Sequence, residues 1–491
     1  MQTIEHWIDG ATTAGGGART APVYDPATGQ VRARVRLAEA SDVDAAVGSA
    51  KAAFDGWHQL SIARRTEVLF RFRELLAAHT DELAEAITDE HGKTLDDARG
   101  EVARGREVVE FACGIGHLLQ GGYSDQVSTG VDTWSLRAPL GVCAGITPFN
   151  FPAMVPLWMH PIAIAAGNTF VLKPSERDPS ASLILARLWQ RAGLPDGVFT
   201  VLHGDAVAVD ALVDHPDVAA VSFVGSTPIA RHVYQRGTAA GKRVQALGGA
   251  KNHAVVLPDA DLADAARQIT GAAYGSAGQR CMAISAVVAV GDCADDLVAA
   301  LATLAGGIRV GPGRDPGTEL GPVITAQAAE RIAAHVERAA ADGATLVVDR
   351  REQPGDGFFV GPCLLDHVDA DQEIYRTEVF GPVLVVLRAA TLDEAIALVN
   401  ANPYGNGAAI FTGSGAAARR FGREVTAGMV GVNVPIPVPA AYHSFGGWKD
   451  SLFGDTHMYG TEGVAFYTRA KAVTARWPRG AAAPQYHFPT T

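Results

Sequence analysis

The spacing of hydrophobic positions in this 491-residue chain changes near residue 140. Within residues 41–90, apolar side chains such as Val68, Phe72 and Leu76 recur every three or four positions, which is helical spacing. This pattern predicts two helices in that region. Beyond residue 140, short apolar runs alternate with longer amphipathic ones, which is typical of strands and helices in βαβ units.

The alternation predicts two α/β bodies, each with a mostly parallel sheet covered by helices. The first body consists of predicted strands at 142–146, 169–172, 199–202 and 219–224 and predicted helices at 155–166 and 180–192. The second body spans residues 254–434 and includes a predicted helix at 261–274 and a predicted strand at 284–290. Residues 122–138 and 464–477 are predicted as paired strands outside both bodies, and the last dozen residues as a loose tail.

Composition and charge narrow the class of protein. Hydrophobic residues make up 48% of the chain and charged residues 19%, which is an ordinary globular composition. The 41 basic and 53 acidic side chains leave a net charge of -12, which argues against nucleic acid and anionic membranes as partners. We also expect no membrane span and no targeting peptide, because the longest apolar run is interrupted by prolines and the first ten residues are partly acidic.

Five cysteines in a chain of this length predict a reducing compartment, the cytoplasm, rather than a disulfide framework. They form no C-x-x-C pair, so no metal site is expected. One of them, Cys281, follows Arg280 between the predicted helix and strand of the second body. An adjacent arginine favours the thiolate, which is the nucleophilic form. A buried and inert cysteine is the alternative for any single thiol.

Three predicted strand ends of the first body carry groups suited to a ligand, because ligands of parallel sheets bind at the carboxyl ends of strands. These ends carry the segments TPFNFP (147–152), KPSE (173–176) and GSTP (225–228). In GSTP, Thr227 is predicted to cap a helix that Pro228 begins, and a helix N-terminus suits a pyrophosphate. Lys173 and Glu176 suit the two hydroxyls of a ribose, and the carboxylate favours NAD over NADP.

Each of these segments is, by itself, also explained as an ordinary turn or helix start, and the usual glycine-rich dinucleotide fingerprint is absent. Their order along the chain, however, resembles the aldehyde dehydrogenase superfamily. Seven segments carry this resemblance: PFNFP (148–152), KPSE (173–176), FVGST (223–227), GQRC (278–281), EVFGP (378–382), NPYG (402–405) and FGGWK (445–449).

The resemblance implies an α/β fold of the aldehyde dehydrogenase type. A Rossmann-type NAD-binding domain is expected at residues 1–121 and 139–247, and an α/β catalytic domain at 248–440. A small β oligomerisation arm with a C-terminal tail is expected at 122–138 and 441–491. The resemblance also implies a homo-oligomer, a tetramer or dimer, that acts on small molecules.

The resemblance further implies roles for individual residues. Cys281 is expected to attack an aldehyde and form a thiohemiacetal, while Asn150 and the backbone N–H of Cys281 donate to the oxyanion. Hydride then passes to NAD and leaves a thioester on the sulfur. Glu378 is expected to hold the nicotinamide ribose, and Phe380 to line that site. The remaining positions that match cofactor contacts are Thr147, Phe149, Lys173, Glu176, Arg177, Gly225, Ser226 and Gly248.

One departure from the superfamily pattern bears on the acyl acceptor. Ordinary members carry a glutamate before a Leu-Gly-Gly-Lys run, and that glutamate activates the hydrolytic water. Here the run is QALGGAKNH (245–253), so that either Leu247 or Ala246 takes the glutamate position, depending on the anchor of the alignment. Neither side chain can accept a proton, and the loss of a general base typically costs ~10²–10⁴-fold in rate. The thioester is therefore expected to persist until a thiol, coenzyme A, attacks it.

This departure, together with the segment GQRCMA (278–283), resembles the CoA-acylating branch of the superfamily. That branch oxidises methylmalonate or malonate semialdehyde with NAD and coenzyme A, and releases CO₂ and propionyl-CoA or acetyl-CoA. Arg104 and Arg280 are expected to clamp the substrate carboxylate, since a planar guanidinium suits a bidentate partner.

Three alternatives remain open from the sequence. Arg104 is equally well explained as an exposed arginine on a helix. The enzyme could be a hydrolytic aldehyde dehydrogenase that yields a free carboxylic acid, with its base, such as Glu378, supplied from elsewhere. A binding protein without turnover is the third, although it would have no need of both Cys281 and Asn150.

Overall fold

The computed structural model describes residues 2–353 and 355–477, and within them 23 strands form five sheets. In chain order the strands are β1 (Gln2–Ile4), β2 (His6–Ile8), β3 (Ala11–Thr13), β4 (Thr20–Asp25), β5 (Gln30–Arg36), β6 (Tyr123–Ser128), β7 (Val131–Pro139), β8 (Val142–Ile146), β9 (Thr169–Lys173), β10 (Phe199–Val201), β11 (Val218–Val224), β12 (Arg243–Leu247), β13 (Asn252–Val256), β14 (Ile284–Val290), β15 (Thr345–Asp349), β16 (Cys363–Asp366), β17 (Val383–Ala389), β18 (Tyr404–Gly405), β19 (Gly407–Phe411), β20 (Met429–Val432), β21 (Trp448–Lys449), β22 (Leu452–Phe453) and β23 (Thr468–Arg476).

The α-helices of the same residues are α1 (Ala40–His58), α2 (Ile62–Ala78), α3 (Thr80–His91), α4 (Leu95–Cys113), α5 (Ile115–Leu118), α6 (Met154–Ala165), α7 (Ser180–Ala192), α8 (Ala206–Asp214), α9 (Thr227–Ala239), α10 (Leu262–Tyr274), α11 (Ala294–Gly307), α12 (Ala326–Ala341), α13 (Glu373–Arg376), α14 (Leu392–Ala401), α15 (Gly415–Glu424) and α16 (Gly460–Phe466). None of these helices is both long enough and apolar enough to traverse a lipid bilayer.

The larger sheet has eight strands in the order β22-β12-β11-β8-β9-β10-β2-β3. Its five central strands, from β12 to β10, are parallel. Strands β8 and β9 are buried along their whole length, as expected for a parallel sheet with helices on both faces. The chain order reverses at β8, which pairs with β9 on one side and β11 on the other. Such a switch point opens a crevice at the carboxyl ends of the strands.

The second sheet has seven strands in the order β15-β16-β17-β14-β13-β19-β20, and all except β15 are parallel. Strands β14 and β17 are neighbours in this sheet. Cys281 lies in the loop that leads into β14, and Glu378 lies in the loop that leads into β17. The adjacency of the two strands therefore brings these two loops together.

A separate antiparallel sheet, β23-β7-β6, lies outside both bodies. It pairs residues 131–139 with 468–476, so the predicted pairing of these distant segments is confirmed. The segment 448–467 does not join this separate sheet. Its strand β22 adds to the larger sheet beside β12, and its helix α16 contacts α6. The domain division stays a prediction, and the tail predicted for the last dozen residues lies outside the described residues.

The predicted elements at 142–146, 180–192 and 284–290 are confirmed to the residue. Three predictions were wrong in detail. Residues 41–90 form three helices rather than two, because His79 leaves the helical conformation between α2 and α3. The start of the segment predicted as a strand from 464 is helical, since α16 extends to Phe466. Thr227, which was predicted to cap α9, is instead the first residue of that helix. Ser226 occupies the capping position.

Candidate active site

Cys281 lines two adjoining cavities. The first, which we call the apolar cavity, has a volume of about 360 Å³. Most of its wall consists of nonpolar side chains, and its charged residues are Arg104, Arg280, Asp96, Asp97 and Glu101. The second has a volume of about 550 Å³ and lies at the carboxyl ends of β8 and β11, so we call it the switch-point cleft. The thiol therefore lies where a molecule in one cavity meets a molecule in the other.

A strained loop carries the thiol. Ser276 and Ala277 both have φ of 53°, a left-handed conformation that costs a non-glycine residue about 1–3 kcal/mol. The carbonyl of Cys281 accepts hydrogen bonds from Asn252 Nδ2 at 2.9 Å and from Asn406 Nδ2 at 3.1 Å. These two amides come from β13 and from the connection between β18 and β19, so the second sheet holds the backbone of Cys281 in place.

Burial raises the pKa of the Cys281 thiol to about 12, and the negative charge of Glu378 acts in the same direction. The backbone N–H groups of Cys281 and Met282 and the charge of Arg280 lower that pKa, but their effect is smaller. Arg280 thus favours the thiolate, as expected, but in the protein without ligands its effect is smaller than that of burial. Desolvation outweighs one neighbouring charge that is already paired.

Arg280 forms an ion pair with Asp97, in which Nη2 of the guanidinium donates to Oδ1 of the carboxylate. Arg104, the second predicted clamp residue, donates to Glu107 Oε2 at 2.6 Å and to the Pro439 carbonyl at 3.0 Å. The structure thus brings both arginines to the same cavity as Cys281. Each guanidinium is neutralised by an acidic side chain of α4.

The loop that bears Asn150 is fixed by a buried ion pair. Lys93 Nζ lies 2.7 Å from Glu101 Oε2 and donates to the Asn150 carbonyl at 2.7 Å. Glu101 Oε1 accepts from the backbone N–H groups of Ala153 and Met154, at the start of α6. The side chains of Lys93 and Glu101 are almost fully buried. Asn150 is itself buried and lines the switch-point cleft.

The switch-point cleft collects most of the positions predicted to contact a cofactor. Those that line it are Phe149, Arg177, Gly225, Ser226, Gly248, Glu378 and Phe380, together with Asn150 and Cys281. Thr147, Lys173 and Glu176 do not line it, and lie at the ends of β8 and β9. Lys173 Nζ donates to the Gly204 carbonyl at 2.8 Å and lies 3.4 Å from Glu176 Oε2.

Glu378, in the loop that leads into β17, contacts the segment between β12 and β13. Its Oε1 accepts from the Ala250 N–H at 3.0 Å, and burial raises its pKa to about 7. Its carboxylate lies against Gly249, where an added Cβ would be 2.3 Å from Oε2. Two residues on, Phe380 has φ of 54° and contacts the Phe149 ring edge-on, with ring centroids 5.8 Å apart.

The residues of the cleft, together with Thr147 at the end of β8, fit a dinucleotide. Thr147 Oγ1 is buried and has no hydrogen-bond partner among the described residues. The hydroxyl of Ser226 makes no capping bond at the start of α9, so the first N–H groups of that helix remain available to a phosphate. The Glu378 carboxylate keeps one oxygen without a hydrogen bond to the described residues, as an acceptor for a ribose hydroxyl requires.

The structure decides which residue takes the position of the missing general base. Leu247, at the end of β12, lines the apolar cavity with Cys281. Ala246 packs instead into the hydrophobic cluster beneath the larger sheet. Of the two residues, Leu247 is therefore the one that shares the cavity with Cys281, and its aliphatic side chain cannot activate water.

Several site residues were missed from the sequence. Asn252 and Asn406 could have been found, because they lie within or directly after the segments GAKNH and NPYG. Asp97, Lys93 and Glu101 gave no signal, since charged residues are by default assigned to the surface. Among the described residues, no group of three or more histidine, cysteine or acidic side chains is arranged to hold a metal ion.

This fold, with a dinucleotide cleft beside a cysteine, is that of the aldehyde dehydrogenases. The chain belongs to this family, since the aldehyde dehydrogenase family profile matches residues 13–473. It is 53% identical over 497 residues to a malonate-semialdehyde dehydrogenase of Pseudomonas aeruginosa, covering 100% of both chains. A malonate-semialdehyde dehydrogenase of Geobacillus thermodenitrificans is 49% identical, with coverage of 97% of this chain and 99% of the relative.

Solved structures give the same result. A methylmalonate-semialdehyde dehydrogenase from Oceanimonas doudoroffii superimposes with a TM-score of 0.96 at 52% identity, over 98% of this chain and 99% of that one. A Sinorhizobium meliloti 1021 protein, crystallised with NAD and provisionally assigned to the same activity, gives a TM-score of 0.97 at 51% identity over 98% and 99%. The fold and the superfamily predicted from the sequence are confirmed.

Proposed function

We propose that this enzyme oxidises malonate or methylmalonate semialdehyde with NAD and coenzyme A, and releases CO₂ and acetyl-CoA or propionyl-CoA. The observation that carries this proposal is the composition of the apolar cavity. It holds two arginines for a carboxylate beside the thiol, and Leu247 where a hydrolytic enzyme needs a base. The names of the relatives support the same substrate class.

The first step would be addition of Cys281 Sγ to the aldehyde carbon, with the thiol proton leaving to solvent or to a carboxylate such as Glu378. Asn150 and the N–H of Cys281 would donate to the oxyanion that forms. NAD, bound in the switch-point cleft, accepts the hydride of the aldehyde carbon. The carbon is thereby oxidised to a thioester on Cys281, and the nicotinamide is reduced.

The acyl thioester then carries a carboxylate β to its carbonyl. Breaking the bond to that carboxylate releases CO₂ and leaves an electron pair as an enolate, which the same two oxyanion donors would stabilise. Protonation of the enolate gives a propionyl or acetyl thioester. The thiolate of coenzyme A attacks this carbonyl, the acyl group moves to coenzyme A, and Cys281 is released.

Several residues would hold NAD and orient its nicotinamide against Cys281. Glu378 would accept from hydroxyls of the nicotinamide ribose, and Phe380 and Phe149 would wall that end of the cleft. Lys173 and Glu176 would take the other ribose, and Gly225, Ser226 and Gly248 would leave room for the pyrophosphate at the start of α9. Thr147 and Arg177 complete the set of proposed contacts.

The test is the dependence of NADH formation on coenzyme A. With malonate semialdehyde and NAD but no coenzyme A, we expect one burst of about one NADH per active site, followed by turnover slower by ~10²-fold or more. Mass spectrometry at that stage should find an acetyl adduct on Cys281. Steady turnover in water with release of a free acid would refute the proposal and support a hydrolytic enzyme.

The proposal includes a homo-oligomer, a dimer or tetramer, assembled through the sheet β23-β7-β6. Support comes from large apolar side chains on this sheet that are exposed in the monomer, namely Tyr123, Val127 and Leu136. It also includes a cytoplasmic location, which the five free thiols favour. Light scattering of the purified protein tests the first point, because a monomer at micromolar concentration would contradict it.

A further inference from the structure

We propose that Asp97 is a positioning residue that sets the orientation of Arg280 and thereby gives the apolar cavity its preference for aldehydes that carry a carboxylate. This inference rests on the function proposed above. Nothing in the motif pattern of the chain points to Asp97, which is separated from Arg280 by 183 positions.

The first argument is the face of α4 that borders the cavity. Asp97, Glu101 and Arg104 are spaced by four and then three residues, so they lie on one side of the helix, and all three line the apolar cavity. The N–H of Asp97 donates to Thr94 Oγ1 at 3.2 Å, which fixes the first turn of the helix. One rigid helix therefore presents the partner of Arg280 and the second arginine at a set separation.

The second argument is that Arg280 is held from two sides. Asp97 Oδ1 accepts from Nη2, and the guanidinium lies against the backbone of Gly275 at the end of α10. A Cβ at Gly275 would lie 2.6 Å from Nη1 and 2.8 Å from Cζ, so that any other residue there would displace the side chain. The side chains of Arg280 and Asp97 are 21% and 26% exposed, so the pair is largely shielded from solvent but still open to the cavity.

The third argument concerns the donors that remain. Among the described residues, no acceptor pairs with Nε or Nη1 of Arg280, so these N–H groups are left for a ligand. A guanidinium that is already oriented loses less conformational entropy when it binds a carboxylate than a free one does. Arg104 is more exposed than Arg280 and is held by its own acid, Glu107. Asp97 is therefore the residue whose loss would disorganise the clamp next to the nucleophile.

The experiment compares malonate semialdehyde with propanal, which has the same chain length and no carboxylate. In Asp97→Ala we expect KM for malonate semialdehyde to rise at least about tenfold, as for the loss of a shielded charge partner. The kcat/KM for propanal should change less than about twofold, since a neutral aldehyde does not use the clamp. Asp97→Asn keeps a hydrogen-bond acceptor at the same place, so its KM should fall between those of wild type and Asp97→Ala.

Two controls separate positioning from charge and from stability. Asp81→Asn makes the same charge change in the neighbouring helix α3. Asp81 pairs with Arg99, its side chain is 72% exposed and it does not line the apolar cavity, so the preference should stay that of wild type. In an Arg280→Ala background, the further change Asp97→Ala should have no effect on KM, because the residue it positions is absent.

Equal losses for both aldehydes, a loss in Asp81→Asn equal to that in Asp97→Asn, or additive effects in the double variant would each overturn the role of Asp97. If wild type shows no preference for malonate semialdehyde over propanal, the proposed function itself fails. If wild type has that preference and Asp97→Ala retains it, the proposed function stands and only the inference about Asp97 is lost.

Discussion

Gly278 and Gly381 meet so closely that a Cβ on Gly278 would lie 2.1 Å from the Gly381 carbonyl oxygen. Gly278 has φ of 66°, which is unfavourable for any residue with a side chain. The first glycine leads to Cys281 and the second follows Glu378, so this contact joins the loop of the nucleophile to the loop of the proposed ribose ligand. The lack of a side chain at Gly278 is what allows the two loops to approach this closely.

Gly278→Ala should therefore separate the two loops and lower kcat/KM at least about tenfold, because misplaced reacting groups lose rate steeply. The KM for NAD should rise as well, since Glu378 moves with its loop. Gly271→Ala, within α10, is the matched control: a Cβ there meets nothing within 4 Å, so this variant should keep full activity. Wild-type kinetics in Gly278→Ala would show that the contact is not needed.

Leu247→Glu should place a carboxylate base at the position where this chain has an aliphatic side chain. We expect release of the acyl group by water to increase at least about tenfold, since general-base catalysis typically contributes ~10²–10⁴-fold. Steady NADH formation without coenzyme A is the measurement. Leu247→Gln is the control, because it has the same shape and no basic carboxylate. Equal hydrolysis by both variants would mean that this position does not reach the thioester.

The raised pKa of Cys281 predicts slow alkylation of the protein without NAD. Because iodoacetamide reacts with the thiolate, its rate at Cys281 should rise about tenfold per pH unit between pH 7 and pH 9, well below the pKa of about 12. Mass spectrometry of the Cys281 peptide measures this rate separately from the other four thiols. A plateau below pH 8 would show that burial does not dominate the pKa.

Removal of one partner of the Lys93–Glu101 ion pair should be costly. Lys93→Met leaves the Glu101 charge buried without a partner, which typically lowers the free energy of unfolding by about 3–5 kcal/mol. Adding Glu101→Gln should recover most of this loss, since the amide oxygen can still accept from Ala153 and Met154. Urea unfolding measures both variants. Lys51→Met, on an exposed pair with Asp217, should cost less than about 1 kcal/mol.

Glu378 predicts a dependence of stability on pH. Its folded pKa of about 7 exceeds the ordinary value of 4.5, so the folded state holds this proton more tightly than the unfolded state does. The free energy of unfolding should therefore fall as the pH rises from 4.5 to 7, by up to about 3 kcal/mol. Glu378→Gln lacks this loss, so it should gain stability relative to wild type between pH 5 and pH 8 in urea unfolding. If the difference in free energy of unfolding between Glu378→Gln and wild type stayed constant over this pH range, the raised pKa would be contradicted.

The sequence alone determined the α/β architecture, the family and the positions of Cys281, Asn150 and Glu378. These follow from local information: apolar spacing marks the strands and helices, and short segments at strand ends carry the reactive side chains. It also determined that positions 246 and 247 carry no base, since neither Leu247 nor Ala246 can accept a proton. The errors were local as well, because the break at His79 and the helix before β23 interrupt a continuous apolar pattern.

Only the tertiary structure decided how these groups affect one another. The pKa of Cys281 is set by burial and by Glu378, which chain folding brings to it from 97 positions away, and not by its neighbour Arg280. Arg280 is neutralised by Asp97 of α4, 183 positions away, and Leu247 rather than Ala246 shares the apolar cavity with Cys281. Burial and charge pairing depend on contacts between distant segments, and the linear pattern of residues does not contain those contacts.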